Sequence, residues 1–92
     1  MEKISIIGAG SWGTALAILL SDKGYEVSLY ARRKEQIDEM KNNRTNKNYL
    51  GDIKIPKDII ITDDIKEAVG SSDVAVMAVS SQQVRNVAES IK

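Results

Sequence analysis

The chain has 92 residues, 42% hydrophobic and 28% charged, an ordinary globular composition that excludes a disordered tail or a spanning membrane protein as the starting class. Its length is too short for a two-domain enzyme and is expected to hold one domain or part of one. Thirteen basic residues balance thirteen acidic ones, which removes the broad positive field of a nucleic-acid binder, and the lack of Cys and His excludes thiol chemistry, disulfides and metal sites built on those ligands.

The first element is the β-branched run Lys3-Ile4-Ser5-Ile6-Ile7, which ends at Gly8 as a buried parallel strand does. Polar and acidic residues interrupt this N-terminal stretch too early for a signal-peptide core or a spanning helix, so a cytoplasmic protein is expected. Gly8-Ala9-Gly10-Ser11-Trp12-Gly13 then opens a helical pattern with Trp12, Leu16, Leu19 and Leu20 at helical spacing, stopped by Gly24. A second strand, Val27-Ser28-Leu29-Tyr30-Ala31, leads into Arg32-Arg33-Lys34 and an amphipathic stretch carrying Ile37 and Met40. Residues 42–48 hold four asparagines, two basic residues and no large apolar side chain, and are expected to form a polar surface loop in which Arg44 and Lys47 are solvated. Residues 59–62 form a third strand, and Asp64 with Glu67 starts a short helix closed by Gly70. Residues 73–79 are the most continuously apolar strand, as expected near the centre of a sheet covered on both faces. Ser80-Ser81-Gln82 caps a last helix bearing Val84, Val87, Ala88 and Ile91.

Alternation of four strands with four helices predicts an α/β, Rossmann-type doubly wound parallel sheet in the order 3-2-1-4. The sheet is expected to be incomplete on its C-terminal side, making residues 1–92 the N-terminal part of a dinucleotide-binding domain. A glycine triple alone is weak evidence, but this one follows a strand and opens a helix. Gly8 permits the tight turn, Gly10 lets the backbone approach a pyrophosphate, and Gly13 lets the helix pack close to the sheet. The amides of Ser11, Trp12 and Gly13, with the positive end of the helix dipole, then face the anion. Ser11 is read as a helix cap, with or without a cofactor contact, and Trp12 either as core or as a wall of the cofactor cleft.

About twenty residues beyond the turn, NAD sites place an acidic residue on the ribose 2′-hydroxyl and NADP sites bring in an Arg. Here the position is Ala31, followed by Arg32 and Arg33. With no carboxylate to repel a 2′-phosphate and two guanidiniums able to pair with it, NADP or NAD is the expected cofactor, with NADPH favoured.

Four ordered motifs carry a family resemblance. Gly8-Ala9-Gly10-Ser11-Trp12-Gly13-Thr14-Ala15-Leu16-Ala17, Tyr30-Ala31-Arg32-Arg33, Asn46-Lys47-Asn48-Tyr49-Leu50 leading to Ile55-Pro56, and Ala78-Val79-Ser80-Ser81-Gln82 together resemble the N-terminal region of bacterial NAD(P)-dependent glycerol-3-phosphate dehydrogenase. The resemblance implies a reductase that interconverts dihydroxyacetone phosphate and sn-glycerol 3-phosphate for phospholipid synthesis. It implies cofactor contacts at Ser11, Trp12, Arg32 and Arg33, and places Tyr49 beside the adenosine end. Ser80 stands where the family usually has Pro. The family's catalytic lysines and substrate-gripping residues fall beyond Lys92, so this chain is expected to contain no catalytic residue and to be inactive alone. Other readings compatible with the fold are a ketopantoate-type or β-hydroxyacid-type reductase, and a nucleotide-sensing module without enzyme activity. An unpaired edge on the fourth strand is expected to recruit a second copy of the chain.

Overall fold

The computed structural model describes residues 2–70 and 72–78. Four parallel strands form one sheet in the order β3-β2-β1-β4, as the alternating pattern predicts. They are β1 (Lys3–Ile7), β2 (Glu26–Tyr30), β3 (Ile60–Thr62) and β4 (Val74–Met77), and the helices are α1 (Ser11–Asp22), α2 (Lys34–Asn43), α3 (Lys47–Leu50) and α4 (Ile65–Gly70). The central strand β1 pairs Ile6 with Leu29 on one side and with Val76 on the other. Backbone bonds continue past the strand ends: Gly8 N–H donates to the Tyr30 carbonyl at 3.0 Å, Ala31 N–H to Thr62 at 3.1 Å and Ala78 N–H to Ile7 at 2.8 Å. The C-terminal ends of all four strands are thereby aligned, and the segments that follow them emerge along one rim.

Strand alternation divides the core between the two faces of the sheet. Ile4, Ile6, Val27, Leu29 and Ile61 join Ala17, Ile37 and Met40 in the larger cluster, whereas Ile7 meets Ile65 and Ala68 of α4 on the opposite side. That opposite face is more polar, with Ser5 fully buried and its hydroxyl donating to the Ala68 carbonyl.

The helix starts and stops follow local chemistry. Asp64 Oδ1 accepts from the N–H groups of Lys66 and Glu67, at 3.0 and 3.2 Å, which caps α4. Gly24, with φ of 98°, turns the chain out of α1 and into β2.

Several expectations change. The third strand begins at Ile60, although Ile59 before it is buried. The fourth is Val74–Met77, at an edge of the described sheet, with Val74 and Ala75 exposed. The predicted helix over residues 80–91, Val79 of the fourth strand and the Ser80 position lie outside the described residues. In α1 the residues facing the sheet are the small Gly13, Thr14 and Ala17, while Trp12 and Leu19 are exposed. Leu16, Ile18 and Leu20 flank that stripe, partly buried against the core.

The largest correction concerns residues 42–48. Asn42 and Asn43 complete α2, Lys47 and Asn48 begin α3, and the three residues between turn inward. Arg44 adopts a left-handed φ of 55°, which costs a non-glycine residue about 1 kcal/mol. Its guanidinium donates to the carbonyls of Ile55, Pro56 and Ile59, the last at 2.8 Å, and thereby gathers the chain leading to β3. Partial burial lowers its pKa from the ordinary arginine value. Thr45 and Asn46 are buried. What composition suggests is a solvated loop is instead an internal brace.

Candidate functional site: the glycine turn and its rim

The glycine turn leaves β1 at the aligned rim. Gly8 has φ of 116°, a conformation L side chains rarely adopt, and so makes the sharp exit from the strand. Gly10 occupies the N-cap of α1 with φ −76° and ψ −168°. This corrects the capping role expected of Ser11, which is instead the first, exposed residue of the helix. The first bond of the helical ladder runs from Thr14 N–H to the Gly10 carbonyl at 3.0 Å, so the amides of Ser11, Trp12 and Gly13 stand outside that ladder.

The three glycines serve different needs. A Cβ on Gly13 would lie 2.0 Å from the Gly8 carbonyl oxygen and 3.0 Å from Ala78 Cβ, so close helix–sheet packing requires glycine there. A Cβ on Gly10 would meet nothing within 4 Å. Packing within the chain therefore does not explain the absence of a side chain at Gly10. Trp12 is 61% exposed and so does not pack into the core of the described residues.

Ala31 is buried where β2 ends, and Arg32 and Arg33 follow it exposed. Among the described residues no ion pair engages either guanidinium, and the nearest carboxylate in sequence is Glu35 in the first turn of α2. The Gly8 to Tyr30 bond and the Ile7–Tyr30 register set the end of β2 beside the glycine turn, and the arginine pair follows two residues on. Tyr49 lies on α3, which packs against α1. Thus Gly8, Gly10, Ser11, Trp12, Gly13, Arg32 and Arg33 collect along one rim, with Tyr49 carried by the neighbouring short helix.

Asn46 and Gln36 are the residues to which sequence alone assigns no role. Asn46, 1% exposed, sits behind the glycine turn and donates from Nδ2 to the Ala9 carbonyl at 2.8 Å and to Thr14 Oγ1 at 3.0 Å. Gln36 Nε2 donates to the same Ala9 carbonyl at 2.7 Å and to Asn46 Oδ1 at 3.2 Å. The segment is held from below by Glu39, whose carboxylate accepts from Lys47 N–H at 2.9 Å and from the Thr45 hydroxyl at 2.8 Å. Those two bonds lower the Glu39 pKa, in that order, with a smaller contribution from the charge of Lys47. Asn46 has a sequence signal only in hindsight: it opens the Asn-x-x-Tyr-Leu segment.

Among the described residues no group of three or more acidic side chains is placed to hold a metal ion, and no helix is long and apolar enough to cross a membrane.

Comparison with known proteins gives a consistent result. Residues 3–92 match the family model described as NAD-dependent glycerol-3-phosphate dehydrogenase N-terminus. The chain is 50% identical over 90 residues to glycerol-3-phosphate dehydrogenase (NAD(P)+) of Thermoanaerobacter sp. (strain X514), covering 98% of this chain and 27% of that protein. It is 47% identical over 92 residues to the enzyme of the same name from Fusobacterium nucleatum, covering 100% and 28% respectively. Among solved structures, glycerol-3-phosphate dehydrogenase of Coxiella burnetii superposes with a TM-score of 0.77 at 34% identity over 83% of this chain and 23% of that one. The chain thus spans about a quarter of the length of the curated relatives it matches.

Proposed function

This chain belongs to the family of NAD-dependent glycerol-3-phosphate dehydrogenase N-termini, and from that membership we propose that it forms the cofactor-gripping part of an NAD(P)-dependent glycerol-3-phosphate dehydrogenase. The reaction is the interconversion of dihydroxyacetone phosphate and sn-glycerol 3-phosphate, in the cytoplasm, for phospholipid synthesis. The observation that carries the reading is the division of labour in the turn: Gly13 is required by packing, whereas Gly10 is open where an anion would approach.

The residues fit a dinucleotide. Gly8 and Gly10 shape the turn, the amides of Ser11, Trp12 and Gly13 meet the pyrophosphate at the positive end of α1, and the ring of Trp12 shields the cleft from water. Arg32 and Arg33 pair with a 2′-phosphate, which favours NADPH over NADH, and Tyr49 flanks the adenosine. When bound, the cofactor supplies the hydride to the substrate carbonyl. This chain's own part is to bind and orient; the proton source and the groups that stabilise the developing alkoxide are assigned to the remainder of the full-length protein. Residues 1–92 are accordingly read as the N-terminal part of a dinucleotide-binding domain. As an isolated polypeptide, the chain is proposed to self-associate through the outer edge of β4, which pairs with no strand among the described residues. A stable monomer in concentrated solution by sedimentation would refute that association.

The test is titration of the protein, expressed from its complete reading frame, with NADPH and NADH. Charged hydrogen bonds to phosphate contribute about 1.5–3 kcal/mol, so Arg32→Ala is expected to weaken NADPH about tenfold to a hundredfold and NADH little. Equal loss for both cofactors overturns the 2′-phosphate assignment. Turnover of ketopantoate in place of dihydroxyacetone phosphate overturns the substrate assignment.

A further inference from the structure

We infer that Asn46 and Gln36 are positioning residues for pyrophosphate binding, acting by fixing the orientation of the Ala9–Gly10 peptide; the inference rests on the cofactor reading above. The two side-chain amides use all four of their N–H groups around one point: two donate to the Ala9 carbonyl, one to Thr14 Oγ1 and one to Asn46 Oδ1. Both acceptor directions of the Ala9 oxygen are thereby taken.

The described chain contains no cis peptide, and in a trans peptide the C=O and N–H point in opposite directions. Drawing the Ala9 oxygen back toward Asn46 and Gln36 therefore turns the Gly10 N–H forward, to the side where the turn is open. Without the clamp, the conformational freedom of Gly10 allows the peptide to flip, which would present a carbonyl oxygen to the anion instead of an N–H. The clamp is itself braced: Leu50 N–H donates to the Asn46 carbonyl at 2.8 Å, Asn46 forms an isolated antiparallel bridge with Gly51, and Asn46 is almost completely buried. Gln36 reaches the same oxygen from α2, the helix that begins immediately after Arg32 and Arg33. One network thus joins the segment after β2 to the turn after β1.

The experiment compares two ligands on the protein expressed from its complete reading frame: NADPH, and adenosine 2′-monophosphate, which keeps the 2′-phosphate but has no pyrophosphate. Asn46→Ala is expected to weaken NADPH about tenfold or more and Gln36→Met several-fold, while both leave adenosine 2′-monophosphate within about twofold. Arg32→Ala, the control, is expected to weaken both ligands. The Gln36 variant, at a half-buried site with Asn46 still in place, decides the matter if Asn46→Ala does not fold. Unchanged NADPH affinity in Gln36→Met and in any folded Asn46→Ala protein, or parallel loss of both ligands, overturns this inference alone. A wild-type protein that binds neither ligand overturns the cofactor reading and the inference with it.

Discussion

Replacing Gly13 by alanine adds one methyl group at the tightest point of the structure. Its carbon would lie 2.0 Å from the Gly8 carbonyl oxygen, about 1.5 Å short of ordinary van der Waals contact. Neither neighbour gives way easily. Gly8 is held at φ 116° with its N–H bonded to Tyr30 at 3.0 Å, and Ala78, with Cβ 3.0 Å from the new methyl, is bonded to Ile7 at 2.8 Å. Relief requires α1 to rise from the sheet, uncovering Thr14 and Ala17, both fully buried. Overpacking costs about 1–3 kcal/mol, and a clash with backbone belongs at the upper end, about 3 kcal/mol. Gly10→Ala is the matched comparison: its methyl meets no atom and its φ of −76° suits alanine, so only the weaker N-cap preference of alanine remains, a cost of about 0.5 kcal/mol. Urea denaturation followed by circular dichroism should show the Gly13→Ala midpoint lower by about 1–3 M and the Gly10→Ala midpoint lower by no more than about 0.5 M. Ligand titration should show the complementary pattern, with Gly10→Ala folded but about tenfold or more weaker for NADPH. A Gly13→Ala protein as stable as wild type, or equal destabilisation by the two variants, would refute the reasoning.

Arg44 combines a strained backbone with several carbonyl contacts. Arg44→Ala retains the left-handed conformation and loses the contacts, for a destabilisation of about 2–4 kcal/mol; Arg44→Gly relieves the backbone and should be the milder variant by about 1 kcal/mol. Thermal melting of the two decides it, and the reverse order would show that the φ of 55° is not strained. Asp64→Ala removes the cap of α4 and should cost about 1 kcal/mol, with Asp64→Asn close to neutral in the same assay. Glu39 has a folded-state pKa below its unfolded value, so its stabilising effect is complete above the ordinary carboxylate range and is lost as pH falls through the folded value. Stability measured from neutral pH downward should therefore fall less steeply in Glu39→Gln than in wild type, and superimposable acid limbs would exclude the linkage.

What was legible in the sequence was whatever local chemistry decides. Ile4, Ile6 and Ile7 before Gly8 announce a buried strand and its exit, because side-chain periodicity and glycine φ act within a few residues. The strand order followed from the alternation of elements. The arginine pair after β2 was visible as a missing carboxylate. The inward turn of residues 44–46 was not legible, since the groups that satisfy it are distant in sequence: Asn46 bonds to Ala9 and Thr14, 37 and 32 positions away. A buried asparagine and a solvated one have the same composition signature, and only tertiary structure tells them apart. In α1 the apolar spacing was informative only in part: Leu16 and Leu20 pack against the core, whereas Trp12 and Leu19 are exposed and the closest approach is made by the small Gly13, Thr14 and Ala17.

The position of β1 in the sheet also sets the order in which the chain can fold. Its pairing with β2 closes within the first 30 residues, but its other side waits for β4, where Asp73 N–H reaches the Lys3 carbonyl at 2.8 Å and Lys3 N–H reaches Asp73 Oδ2 at 2.9 Å across a separation of 70 residues. At ribosomal rates of about 5–20 residues per second, that delay is roughly 4 to 14 s, during which the β1 edge carrying Ile4 and Ile6 has no native partner. The strand synthesised first is thus completed late, and its interim protection from aggregation must come from neighbours already made: α1 laid across it, and β2 alongside.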